Sequence, residues 1–258
     1  MKRKQRCAAL LLALIMGMSL VTAAAEGAED ILKPFVLNHG DRNSRKIAIT
    51  VDDGYEPEYY WEDVALCREY GITMTFFPIG KALKEEDREH WKDALDAGCE
   101  IGSHTDAHIR LGLGTPWETI WSLGHFQQTL DEVLGFHYEV RWMRPPYGNI
   151  DDENGNSHAI RTAIEVFGYD HIVRWDVSQT KAKEAIKKVQ NGSILLFHTR
   201  KKDTDCLKEL IPMLLEKGFE PVTVSELFGF DPPETGTELY VYDAEVYRER
   251  GQKRINGK

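Results

Sequence analysis

Cysteine is scarce in this sequence, and the few cysteines are not arranged as a disulfide framework or a zinc site. The 258 residues contain four. Cys7 lies in an N-terminal segment with the features of a signal, which leaves Cys67, Cys99 and Cys206 without the short spacing of a structural zinc site. An odd number allows at most one disulfide, so a disulfide-stapled scaffold is excluded.

Positive charge is also in short supply. Lysine and arginine total 32 against 42 aspartates and glutamates, for a net charge of −10. A surface of this sign repels phosphates, which argues against nucleic acid as a partner. The same charge argues against simple electrostatic adhesion to anionic membranes.

The sequence lacks an apolar run of clear transmembrane length. The main run, residues 8–21, is shorter than the about 20 residues that span a bilayer. Basic residues from Lys2 to Arg6 precede it, and Ala23 to Ala25 follow, which is typical of a secretory signal peptide. We expect residues 1–25 to be cleaved, shifting the net charge from −10 to −14. The mature protein is then secreted or held in the cell envelope without stable membrane insertion; a retained anchor is the alternative.

Strand-like and helix-like segments alternate after a polar leader at residues 26–45. Strands are predicted at residues 46–51, 72–77, 99–102, 140–143, 171–176, 193–197 and 219–224. Predicted helices include residues 56–70, 85–97, 116–134 and 205–217, with a short last helix capped by Ser225. This order predicts an α/β domain at residues 46–230, a closed or nearly closed barrel of about seven parallel strands. Residues 231–258 form a polar C-terminal tail.

Ionisable residues gather where the predicted strands end. They are Asp52, Asp53, His104, His108, Arg144, Asp176 and His198. Each motif alone has an ordinary structural explanation; Asp-Asp-Gly, for example, is more often a turn. In an α/β barrel, however, these strand ends open on one face, where active sites are built. Their shared placement therefore predicts a site.

The chemistry available to this set is specific. One carboxylate and two imidazoles provide three ligands for zinc or a similar divalent ion and leave positions open for water and substrate. A second carboxylate can take a proton from water, and a further histidine can protonate a leaving nitrogen. These groups together suit amide hydrolysis.

Four segments, in order, resemble the motifs of polysaccharide deacetylases of carbohydrate esterase family 4. They are Thr50-Val51-Asp52-Asp53-Gly54, His104-Thr105-Asp106-Ala107-His108, Arg144-Pro145-Pro146-Tyr147-Gly148 and Leu196-Phe197-His198-Thr199. The resemblance runs from about residue 46 to residue 227. It implies a distorted (β/α) barrel, in agreement with the strand pattern.

The resemblance also implies a role for each matched residue. Asp52 is the expected general base, His198 the general acid, and Arg144 the partner that holds Asp52 charged. The expected metal ligands are Asp53, His104 and His108, binding one divalent ion, most simply zinc, with cobalt or iron as alternatives. The backbone N–H of Tyr147 is expected to face the oxyanion. Trp175 and Leu196 are expected to line the slot for the acetyl methyl group.

The sequence departs from the family pattern after the fifth strand. Ser178 stands where the family carries an aspartate that tunes the acid histidine. Asp176, two residues earlier and on the same face of the strand, is the alternative carboxylate. Without such a partner, His198 is a weaker acid near neutral pH.

The sequence therefore predicts a secreted, metal-dependent hydrolase. Its expected substrate is an N-acetylated sugar of a polysaccharide such as peptidoglycan or a chitin-like glycan. Two alternatives remain open: an esterase acting on O-acetylated sugars with the same site, and a glycan-binding module whose catalysis is impaired by the altered segment around Ser178.

Overall fold

The computed structural model describes residues 35–169 and 171–256. The predicted signal segment at 1–25 and residues 26–34 of the polar leader lie outside the described residues. In the described part of the chain, no helix combines the length and the apolar character needed to cross a bilayer.

The parallel sheet is built around one central strand that is buried along almost its whole length. Its strands are β2 (Lys46–Asp53), β3 (Thr75–Pro78), β4 (Glu100–Ile101), β7 (Ile194–His198) and β8 (Glu220–Val222). They run in the order β4-β3-β2-β7, with β8 paired to the start of β2. Burial on both faces is expected where helices cover a parallel sheet.

Isolated parallel bridges continue this sheet into a ring. Ser103 pairs with Met143, and Met143 pairs with Ile172 in strand β6 (Ile172–Val173). Val177 then pairs with Leu195 in β7. Because β7 is paired with β2, this contact closes the ring. The parallel segments thus form a distorted (β/α) barrel of about seven strands, as predicted from the sequence. A short strand β1 (Val36–Leu37) adds to β6 from the leader.

Helices follow the strands. Their bounds are α1 Glu58–Tyr70, α2 Arg88–Asp96, α3 Pro116–Leu134, α4 His158–Phe167, α5 Ala182–Ala185, α6 Lys201–Glu216, α7 Val224–Phe228 and α8 Ala244–Asn256. Helix α3 begins with the predicted capping box, in which Thr115 and Glu118 bond each other's backbone N–H. Helix α1 ends at Gly71, whose φ of 64° suits a residue without a side chain.

Several predicted boundaries are wrong. The segment at 140–143 contributes only the Met143 bridge, because Pro145 and Pro146 follow and cannot donate to a ladder. Helix α6 begins at Lys201 rather than at residue 205. Helix α7 is capped by Thr223, not Ser225, because the Ser225 hydroxyl and N–H both bond the buried carboxylate of Glu100.

The polar C-terminal residues also contain regular structure. Strand β9 (Thr235–Gly236) pairs antiparallel with β5 (His137–Tyr138). Helix α8 contacts α4, and its Tyr247 is buried with its ring stacked 5.1 Å from that of Phe167. A single anchoring aromatic explains why the hydrophobic pattern of this helix is weak in the sequence.

Candidate active site

Two carboxylates lie at the end of β2, inside the barrel mouth. Asp52 and Asp53 are both buried. Asp52 is in register with His198 at the end of β7, so the two side chains leave the sheet on the same side. The Gly54 N–H donates to the Thr199 hydroxyl at 2.9 Å. The ends of β2 and β7 are therefore fixed to each other directly beneath the site.

Arg144 is wholly buried beside Asp52. Its Nη1 donates to Asp52 Oδ1 and to the Thr50 hydroxyl, each at 2.7 Å. The remaining donors bond the carbonyls of Val173 at 3.2 Å and Arg174 at 3.1 Å. Burial lowers the pKa of Arg144, and the adjacent Asp52 carboxylate opposes that shift. A guanidinium with all these partners holds the Asp52 carboxylate in one orientation.

The three sequence-predicted metal ligands lie together. One ligand atom from each of Asp53, His104 and His108 falls within 4.8 Å of the others. Asp53 Oδ1 is 3.8 Å from His104 Nε2 and 3.7 Å from His108 Nε2. One carboxylate oxygen and two imidazole nitrogens at this spacing fit a divalent transition ion, which favours imidazole and carboxylate donors.

The surroundings of His104 prepare one ring nitrogen for a metal. Its Nδ1 lies 2.8 Å from the carbonyl of Arg144, which can only accept, so Nδ1 carries the proton. Nε2 is then left with a free lone pair that faces Asp53. Burial lowers the pKa of His104, opposed by Asp52, so the neutral form that binds metals is favoured.

Backbone strain is concentrated at this site. Within the described residues, the non-glycine positions with positive φ are Asp53, Thr105, His108 and Tyr147. Three of these are predicted site residues and the fourth lies next to His104. Such conformations cost about 1–3 kcal/mol each and persist where the surrounding structure imposes them. Here they include two candidate metal ligands, Asp53 and His108.

Tyr147 and its neighbours form one rim of the site. Tyr147 is 57% exposed; its ring lies 4.8 Å from the His108 ring, and the Arg110 guanidinium carbon lies 4.4 Å from the centre of the Tyr147 ring. Arg200 approaches from the other side, with its Nη2 3.7 Å from Asp53 Oδ2. Arg110 and Arg200 were not predicted from the sequence; the only signal for them is that each lies two residues after a predicted site histidine, His108 or His198.

Leu196 and Trp175 flank the buried Arg144–Asp52 pair. Leu196 lies two residues before His198 on the same face of β7 and is in register with Thr50. The Trp175 ring lies 5.7 Å from the Arg144 guanidinium carbon and packs on Gly148. A Cβ at Gly148 would approach Trp175 to 2.6 Å, so this contact requires glycine. These positions are compatible with a small apolar slot.

His198 is half-buried at the end of β7, but Asp176 does not reach it. The Asp176 carboxylate bonds Arg42 at 2.7 Å, the Ser193 hydroxyl at 3.0 Å and the Ile194 N–H at 2.9 Å. Those partners are at the start of β7, about 13 Å along the strand from His198 at about 3.3 Å per residue. Asp176 as a replacement carboxylate is therefore wrong, because its oxygens fix the opposite end of the strand.

Comparison with known proteins shows which family the chain resembles. The model of the family described as polysaccharide deacetylase matches residues 39–161, which include the first three motifs of the site. This part of the chain is similar to polysaccharide deacetylases. It is 29% identical to a peptidoglycan-N-acetylglucosamine deacetylase of Bacillus cereus, over 73% of this chain and 90% of that protein.

Two further similar proteins limit what this resemblance implies. A peptidoglycan-N-acetylmuramic acid deacetylase of Bacillus subtilis is 28% identical over 72% of this chain, but the match spans only 39% of that longer protein. A pseudoenzyme of carbohydrate esterase family 4 from Bacillus anthracis shares the fold, with a TM-score of 0.65 and 21% identity over 76% of this chain and 69% of that chain. The polysaccharide deacetylase fold thus occurs both with and without activity.

Proposed function

We propose that this protein is a polysaccharide deacetylase, an exported, metal-dependent hydrolase that removes acetyl groups from N-acetylated sugars of peptidoglycan or a chitin-like glycan. The observation that carries the proposal is the intact set around Asp52: a carboxylate fixed by buried Arg144, beside three grouped ligands and His198. The relatives from Bacillus cereus and Bacillus subtilis act on peptidoglycan. Peptidoglycan lies outside the cytoplasm, which agrees with the predicted signal segment.

The proposed metal ligands are Asp53, His104 and His108. The fit rests on their donor chemistry and on the free Nε2 of His104. A divalent ion bound there, zinc most simply, supplies Lewis acidity that polarises the acetyl carbonyl and activates water.

The protein's own groups then supply the proton transfers. Asp52 takes a proton from the attacking water, and Arg144 keeps that carboxylate charged and fixed. His198 gives a proton to the sugar nitrogen as the carbon–nitrogen bond breaks. The Tyr147 N–H donates to the oxygen that gains charge at the acetyl carbon. Leu196 and Trp175 contact the methyl group and keep the acetyl carbon in place.

The pseudoenzyme neighbour gives a second candidate, a glycan-binding module without turnover. The buried Arg144–Asp52 pair favours the enzyme, because a binding surface has no need of a buried, oriented base. An esterase acting on O-acetylated sugars would use the same groups. Its substrate is an ester, which has a better leaving group than an amide.

The test is acetate release from three substrates in parallel: N-acetylglucosamine oligomers, peptidoglycan and acetylated xylan. Each is assayed with zinc, with cobalt and after chelation. The proposal expects metal-dependent release from one of the two N-acetylated substrates. Release from xylan alone would replace it with the esterase, and binding to all glycans without release would replace it with the binding module.

A further inference from the structure

Two buried cysteines lie in contact on neighbouring elements of the barrel. Cys67 is in the last turn of α1, and Cys99 directly precedes β4. Their Sγ atoms are 3.6 Å apart, and the two residues are 1% and 5% exposed. Both are thiols in this structure. A disulfide bond is about 2.0 Å long, so the sulfurs need to approach by only about 1.6 Å to form one.

The backbone at both cysteines is fixed by hydrogen bonds. The carbonyl of Cys67 accepts from the N–H groups of Gly71 and Ile72. The N–H of Cys99 donates to the Ala94 carbonyl at 3.0 Å. Rotation about χ1 moves a cysteine sulfur without moving its backbone. Bond formation therefore requires side-chain rotation and leaves α1 and β4 where they are.

The remaining cysteine of the described chain is not placed for such a bond. Cys206 in α6 is buried, its Sγ lies 3.9 Å from the Gln179 carbonyl, and it contacts neither Cys67 nor Cys99 by a hydrogen bond. Burial raises the pKa of Cys206 to about 11, which keeps it an unreactive thiol. At Cys99, in contrast, the hydrogen bond with Cys67 lowers the thiol pKa against the effect of burial. Cys99 is thus the sulfur that ionises more readily.

A cleft gives Cys99 access to small molecules. It has a volume of about 450 Å³ and is lined by Cys99 together with Tyr138, Glu226 and Phe230. Glu226 and Phe230 are exposed, so the cleft reaches the protein surface. A small disulfide compound that enters the cleft meets Cys99, with the Cys67 sulfur in contact behind it.

We infer that Cys67 and Cys99 form a disulfide in the exported protein, with a disulfide compound of the extracytoplasmic space as the oxidant. The Cys99 thiolate attacks one sulfur of the oxidant, forms a mixed disulfide and releases one half of the oxidant as a thiolate. The Cys67 sulfur then loses its proton and attacks Cys99 Sγ, and the second half leaves. Two protein thiols are oxidised, the oxidant is reduced to two thiols, and the two cysteine protons pass to its two leaving sulfurs.

The bond ties together two segments that lead to the candidate metal site. Helix α1 follows β2, which ends at Asp53, and β4 is followed by His104. The two cysteines are 32 residues apart, and closing a loop of this size restricts the unfolded chain. We therefore expect the oxidised protein to be the more stable form. The oxidising surroundings rest on the proposed export, whereas the bond itself does not depend on the proposed hydrolysis.

The test uses the purified full chain, which is reduced and then exposed to bis(2-hydroxyethyl) disulfide under native conditions. Remaining thiols are alkylated, and the tryptic fragments are analysed by mass spectrometry. Trypsin places Cys67 in fragment 47–68 and Cys99 in fragment 93–110. We expect these two fragments to be joined, and Cys206 to be alkylated. Reduction of the oxidised protein should lower its Tm by roughly 5–15 °C.

Two variants form a matched pair for this experiment. Cys206→Ser removes a buried thiol outside the pair, so its fragments should be joined and its Tm should fall on reduction as in wild type. Cys67→Ser removes the sulfur that resolves the mixed disulfide. Its fragments should stay separate, and Cys99 should carry one half of the oxidant.

Three results would overturn the inference. The first is wild-type protein in which Cys67 and Cys99 are both alkylated after exposure to the oxidant. The second is wild-type protein that keeps one half of the oxidant on Cys99. The third is joining of the fragments only when the oxidant is added in urea, because the native structure would then not pair the two sulfurs.

The proposed function is judged separately, since none of these results concerns acetate release. A wild-type protein that joins the two fragments but releases no acetate from any glycan would overturn the proposed hydrolase and leave the disulfide in place.

Discussion

Replacing Arg144 with methionine should destabilise the protein strongly and abolish its activity. The substitution keeps much of the side-chain volume but removes the donors that reach Asp52, Thr50 and two backbone carbonyls. Arg144 is 0% exposed and Asp52 2% exposed. Methionine therefore leaves a buried carboxylate without its counter-ion.

The magnitude follows from the cost of breaking a buried pair. Removing one partner costs about 3–5 kcal/mol. For a domain of this size the loss corresponds to a fall in Tm of roughly 6–20 °C. Asp52→Asn in the Arg144→Met background removes the stranded charge and should recover about 2 kcal/mol, without restoring activity.

Urea unfolding at pH 7, followed by circular dichroism, measures these differences. The control is Arg68→Met, which breaks an exposed pair with Asp93 at 2.5 Å and should cost about 1 kcal/mol or less. The reasoning is refuted if Arg144→Met unfolds no more easily than this control. It is also refuted if the double variant is as unstable as Arg144→Met, because the cost would then not come from the stranded carboxylate.

Three further predictions concern the metal, pH and the slot. His108→Ala should weaken zinc binding at least about tenfold by calorimetry, whereas the exposed His158→Ala should not; equal affinities would contradict the ligand set. Burial raises the pKa of Asp63 well above its ordinary value. The folded protein therefore holds the Asp63 proton more tightly than the unfolded chain does, and the stability gained from this below about pH 4 is lost as the pH rises towards the raised pKa. Asp63→Asn should therefore raise Tm at pH 8 but not at pH 4, and a pH-independent change would refute the argument. Gly148→Ala should lower kcat and disturb Trp175 fluorescence, because its Cβ meets that ring at 2.6 Å; wild-type values would show that the slot tolerates a side chain.

The strand-end residues were predictable because their positions follow from chain order. Once parallel strands are recognised, Asp52, His104, Arg144 and His198 must meet at one face. The capping box at Thr115 was predictable for a similar reason, since all of its atoms lie within one turn of helix. The family motifs placed the same residues independently.

Contacts between distant segments were not predictable. Asp176 is an acidic residue in the altered segment, and only the fold shows that its carboxylate bonds the start of β7 instead of reaching His198. Ser225 resembles a cap but is bonded to Glu100, 125 residues away. Helix α8 was missed because its attachment to the domain depends on Tyr247 rather than on an apolar stripe.

The central claim, a metal-dependent deacetylase with Asp52 and His198 as its acid–base pair, is tested most directly by separating metal binding from turnover. Zinc affinity and acetate release from N-acetylglucosamine oligomers and peptidoglycan are measured for wild type, Asp52→Ala, His198→Ala and Asp53→Ala. The account predicts release by wild type alone, with zinc still bound by the Asp52 and His198 variants and lost from Asp53→Ala. Full acetate release by Asp52→Ala or His198→Ala, with zinc bound, would contradict it.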